Sequence, residues 1–139
     1  MPDRRTVLQG GRRKAYRPLP TGAIAAAVDD ALDAYERDDW FEAHELLEPA
    51  WMGTSVPGER DLYQGLIKVA AACVHRIRGR REGMTKNLRG ARERLVRADP
   101  SIAGRYGIRL DDLIGEVDAA LDELAGERPL DAVRVPRLR

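Results

Sequence analysis

His44, Glu48 and Trp51 stand in the order H-x3-E-x2-W, with Glu42 and Glu45 beside them, and no other group of residues in the chain has types and spacing so suited to chemistry. On a helix turning about 100° per residue, positions 41, 44, 48 and 51 stack along one side. His44 and Glu48, at i and i+4, can then reach one ion. Imidazole with carboxylate suits zinc, iron or manganese, and a stable site takes about three or four protein ligands. His44 and Glu48 are therefore the metal candidates, and Glu45, Trp51, Arg60, Gln64 and His75 are the candidates to complete a pocket for a divalent metal or a small polar ligand. The order differs from the H-E-x-x-H zinc helix, because Glu stands at 48 where the second His would be.

If Phe41 and Trp51 mark the buried face, Glu48 is turned inward and must be paired or hydrogen-bonded. Arg60, Gln64, Lys68 and His75 fall in one narrow sector of a later helix and could answer it. Three readings stay open at this point. In the first, Glu48 accepts from His44, the Trp51 indole or Arg60 and simply locks two helices together. In the second the cluster binds metal or ligand. In the third it is an acid/base pair of an unrecognised hydrolase, for which the chain offers no nucleophile, so no residue is assigned as catalytic.

The elements that must position these residues are all helical. After a basic, Gly- and Pro-containing arm at 1–20, read as disordered, Thr21 is a plausible cap for a helix carrying Ile24, Val28, Ala31, Leu32 and Tyr35. Asp39, three residues before Glu42, predicts a second helix from Trp40, which Pro49 should end or kink. A loop over 53–58 leads to a long helix to about Arg78, with Leu62, Leu66, Val69, Cys73 and Ile77 as its stripe; it is the central element. Gly79 suits the position after its end, and Met84, Leu88, Ala91 and Leu95 give a fourth helix its core face. Gly83, Asn87 and Gly90 line a neighbouring face where another helix can come close. Asp99 and Pro100 should stop that helix, and Leu110, Ile114, Val117, Leu121 and Leu124 make a fifth, capped by Asp111 and ended near Gly126. No strand or hairpin signal competes. The expectation is an all-α single domain over 21–126, a bundle of about five antiparallel helices, with a basic tail at 127–139, also disordered. The turns around Asp38 and Gly79 echo each other, a resemblance to tetratricopeptide-like hairpins that two units are too few to extend into a solenoid.

Bulk numbers exclude some classes. A formal net charge of +1 gives no global pull toward nucleic acid or membrane, and the longest apolar run, Val69 to Val74, is far below the roughly 20 residues that span a bilayer. The lone Cys73 precludes an internal disulfide and fits a reducing cytoplasm. Locally the charge is divided. Residues 29–48 carry nine acidic residues against Arg37, whereas 76–97 carry nine basic residues against Glu82 and Glu93. The basic segment and arm could follow a phosphate backbone, making an interaction module, or could complement the acidic helices within a monomer or homodimer.

The run Phe41-Glu42-Ala43-His44-Glu45-Leu46-Leu47-Glu48-Pro49-Ala50-Trp51, followed by Arg60-Asp61-Leu62-Tyr63-Gln64-Gly65-Leu66-Ile67 and by His75, Gly79, Gly90 and Ala91, resembles the Domain of Unknown Function 309 family of small helical proteins. The resemblance covers roughly residues 30 to 95. It implies an all-helical fold without an established activity, and metal binding at the H-x3-E-x2-W/Y motif, which here falls on His44, Glu48 and Trp51.

Overall fold

The computed structural model describes residues 5–9, 12–20 and 22–139. Six α-helices follow one another: α1 Ala23–Glu36, α2 Trp40–Met52, α3 Pro57–Ile77, α4 Arg81–Leu95, α5 Pro100–Arg105 and α6 Leu110–Ala125. A single 3-10 turn, Leu130–Ala132, comes after them. The bundle is all-helical, as the periodicity implies. Helix α3 lies between α2 and α4, with α1 outside α2 and α6 outside α4. Its Leu62, Leu66, Val69, Ala70, Ala72 and Cys73 are fully buried, which makes it the central helix.

Helices α1 and α2, and again α3 and α4, reverse direction through turns that are short and of one kind. After α1, Asp38 N–H donates to Tyr35 and Asp39 N–H to Ala34; after α3, Gly79 donates to Arg76 and Arg80 to His75. Both are Schellman turns, in which a left-handed residue lets the chain close off the last carbonyls of a helix. Asp38 (φ 62°) and Gly79 (φ 71°) hold that left-handed position. The echo between the two turns is thus a shared backbone device. Gly107 (φ 75°) repeats it after α5.

Asp39 caps α2 as expected, accepting from Glu42 N–H at 3.4 Å. The cap expected at Thr21 lies outside the described residues, and Gly22 occupies the N-cap of α1. Pro49 does not end α2, which runs on to Met52. The carbonyl it frees belongs to Glu45, a residue on the exposed side of the helix. Asp99 and Pro100 do not merely stop α4: Asp99 accepts from Ser101 N–H at 2.8 Å and Pro100 opens α5. An Asp-Pro pair reads equally as an end and as a beginning, because proline suits the first turn of a helix. Asp111 is no cap; α6 starts one residue earlier, after Arg109.

Both chain ends differ from the disordered segments expected. Arg5–Gln9 (β1) and Arg12–Tyr16 (β2) pair antiparallel, Arg5 opposite Tyr16 and Gln9 opposite Arg12. Residues 127–139 form a strap over the bundle. Val133 and Leu138 are buried, and Tyr35 donates its hydroxyl to the Pro136 carbonyl at 2.6 Å. Arg134 pairs with Glu123 at 3.0 Å and Arg139 with Glu36 at 2.7 Å. The basic tail is held by acidic residues of α6 and α1, a long-range fit that no local pattern encodes.

Candidate functional site

The site is built on α2, and the buried face of that helix is not the one the aromatic residues mark. Trp40, Ala43, Leu47 and Ala50 are buried, whereas Phe41 is 57% exposed and Glu48 is exposed. The stripe is rotated by about one residue, or 100°. Small Ala43 and Ala50 let α1 and α3 close on α2 from two sides, and close helix approach outweighs the apolar area of Phe41. Glu48 therefore needs no buried partner, and the inward-facing seam expected from the sequence is corrected to an edge.

At that edge His44, Glu45 and Glu48 converge. One ligand atom from each can be chosen so that all three lie within 4.8 Å of one another. His44 Nδ1 stands 3.4 Å from Glu45 Oε1. It is shielded from solvent and makes no hydrogen bond, although its side chain as a whole is 29% exposed. The Phe41 ring stacks on the imidazole, centroids 6.4 Å apart and planes at 25°, and limits where it can turn. Helix geometry explains the convergence. Positions 44 and 48 are one turn apart and 45 and 48 are three apart, so all three side chains reach the same patch. Glu45 is thus a central member of the group.

The remaining candidates separate. Trp51 and Arg60 do meet: the guanidinium lies over the indole, 4.9 Å from its centroid, and donates to the carbonyls of Trp51 at 3.0 Å and Thr54 at 2.8 Å. Arg60 is fully buried, and burial holds its pKa below the ordinary value, with Asp61 acting in the opposite direction. Its role is to satisfy carbonyls at the end of α2 and join them to the start of α3. Gln64 is half-buried, its Oε1 shielded and without a hydrogen bond. His75 is not part of the metal-capable group. It lies near the far end of α3 against Gly83 of α4, where a β-carbon would collide with its ring. Thus α2 and α3 do not bring both histidines to one ion.

Cys73 is buried, 3.5 Å from the Tyr35 hydroxyl, and burial pushes its thiol up to about 11, so it stays protonated and unreactive at neutral pH. Sequence reasoning missed a buried pair of hydroxyls, Tyr63 and Tyr106 at 2.8 Å, with Tyr63 also donating to Glu59 at 2.9 Å. Tyrosines spaced so far apart in the chain carry no local sign of meeting.

The geometry places a donor-rich patch on α2, inside the stretch that carries the family resemblance. Residues 28–87 match the family described as Domain of unknown function (DUF309). This bears out the resemblance read from the sequence. The DUF309 match runs from Val28 in α1 to Asn87 in α4 and includes His44, Glu45, Glu48, Trp51, Arg60, Gln64 and His75. Helices α5 and α6 and the strap lie beyond it. No curated protein and no solved structure matches the chain. Among the described residues no helix is long and apolar enough to cross a membrane.

Proposed function

We propose that this helical domain binds a divalent transition-metal ion on the exposed edge of α2, through His44, Glu45 and Glu48. The observation that carries the reading is the approach of three ligand atoms, one imidazole nitrogen and two carboxylate oxygens, to within 4.8 Å of one another. A shielded His44 Nδ1 with no hydrogen bond adds to it, because a nitrogen lone pair left unanswered beside a carboxylate is what a cation would satisfy. One nitrogen and two oxygens suit zinc, manganese or iron, and three protein donors leave coordination positions open for water or a small polar ligand. Trp51 and Arg60 support the patch by fixing the end of α2, as a stacked and hydrogen-bonded pair should.

The test is metal analysis of protein purified without a histidine tag and dialysed against zinc or manganese, compared with His44→Ala and Glu48→Gln. One equivalent of ion is expected in the parent protein and none in either variant. Because these side chains are partly or wholly exposed, both variants should melt within about 0.5 kcal/mol of the parent when metal-free. Metal-free parent protein after dialysis would sink the proposal. So would variants that keep the ion.

A further inference from the structure

Away from α2, the nine basic residues of 76–97 divide into two groups. Arg76 donates to the carbonyls of Asp131 and Val133, and Arg81 to those of Leu124, Gly126 and Arg128. Arg92 pairs with Asp118 at 2.6 Å and Arg94 with Asp61 at 3.5 Å. These four hold the strap, α6 and α3 in place. Arg78, Arg80, Lys86, Arg89 and Arg97 have no such partner among the described residues.

Two of that second group, Lys86 and Arg89, line a groove of about 1090 Å³ along α3 and α4. Lys68 enters it from α3, its aliphatic stem crossing Gly90 at 3.0 Å from where a β-carbon would stand. Gly83 makes room for the His75 ring and Gly90 for the Lys68 stem, so both α3 side chains lie close against α4 at the floor of the groove. Asn87 anchors its amide nitrogen on the Gly83 carbonyl at 2.8 Å, and its amide oxygen is unused there. His75 borders the same space with a shielded Nδ1 that makes no hydrogen bond.

We infer that this groove binds the phosphate group of a compact ligand, held by Lys86 and Arg89, with Lys68 adding positive charge at its wall. Cationic side chains with charge-assisted hydrogen bonds are the usual partners of phosphate oxygens. The compactness follows from the two acidic residues in the lining. Glu82 and Glu93 stand on α4 on either side of Lys86 and Arg89, roughly 16 Å apart along the helix axis, so a longer polyanion tracking the groove would meet like charge at both ends. The lining has no Phe, Tyr or Trp on which a base could stack, and the His75 ring is taken up by its packing against Gly83. This site is separate from the α2 edge and does not depend on a metal there.

Calorimetric titration of the full chain with pyrophosphate tests the inference. Saturable one-site binding is expected, weakened at least about tenfold in the double variant Lys86→Gln, Arg89→Gln, as the loss of charge-assisted hydrogen bonds predicts. Both side chains are exposed, so an unchanged circular dichroism melt will show that the variant is folded. The control variant Arg78→Gln, Arg97→Gln, whose residues lie outside the groove, should bind as the parent does. Three results would overturn the proposal: no saturable heat at millimolar pyrophosphate, equal weakening in the control variant, or a labelled oligonucleotide that binds with steep salt dependence and is not displaced by pyrophosphate. The last outcome would assign the charge to a nucleic-acid backbone instead.

Discussion

The hairpins α1–α2 and α3–α4 reverse through the same Schellman turn, yet they dispose of charge in opposite ways. In α3–α4 four arginines are turned onto carbonyls and carboxylates of other elements, so the basic half of the chain is partly a set of structural ties. In α1–α2 the acidic residues stay mostly at the surface; Asp33 and Glu36 receive Arg139, while Glu42, Glu45 and Glu48 face outward. Arginine reaches far with several donors and can close helix ends, whereas a short carboxylate on a helix serves only what comes to it. Surplus acid on α2 is therefore available for a ligand, and only part of the base on α4 is.

The largest expected effect is at the joint between the hairpins. Arg60→Ala removes a fully buried guanidinium, leaves the Trp51 and Thr54 carbonyls without their donor and takes away the cation over the indole. Unsatisfied buried groups and lost packing together should cost about 3–4 kcal/mol. Urea unfolding would measure it, and a loss below about 1 kcal/mol, the size of an ordinary surface effect, would mean that the α2–α3 joint does not depend on this residue.

Next is the division of the basic residues. Arg81→Ala strips the donors from the carbonyls of Leu124, Gly126 and Arg128 at the end of α6, and about 2 kcal/mol of stability should go with them. Lys86→Gln, one turn and a little further along the same helix, should stay within about 0.5 kcal/mol of the parent. Equal denaturation midpoints for the two variants would erase the distinction between structural and available cations on α4.

Much of this arrangement was legible in the sequence. Asp39 fixed the start of α2, the stripe from Leu62 to Cys73 marked the central helix, and Gly79 marked a reversal, because caps, periodicity and left-handed turns are local physics. The buried face of α2 was not legible, since Ala43 and Ala50 carry little apolar weight and gain burial only from the close approach of two neighbours. The strap was hidden for a similar reason. Val133 and Leu138 have no period, and the ties that hold the segment run from its carbonyls to Arg76 and Arg81, and from Arg134 and Arg139 to α6 and α1. At the candidate site, His44 and Glu48 stood out by spacing, while the place of Glu45 depended on which side of α2 faces solvent.

The smallest effect probes the turn that the two hairpins share. Asp38 and Gly79 occupy the same left-handed position, and Gly79 has nothing within 4 Å of a built β-carbon, so the backbone conformation alone decides the cost of substitution there. A side chain at positive φ crowds the following carbonyl, by about 1–2 kcal/mol for an ordinary residue and less for Asp, whose short polar chain tolerates the region. Gly79→Ala should therefore destabilise by about 1 kcal/mol, and Asp38→Gly should shift stability by less and in the favourable direction. If both substitutions destabilised by similar amounts, the Asp38 side chain would be holding its turn through contacts of its own. The two hairpins would then reverse by a common geometry but for different reasons.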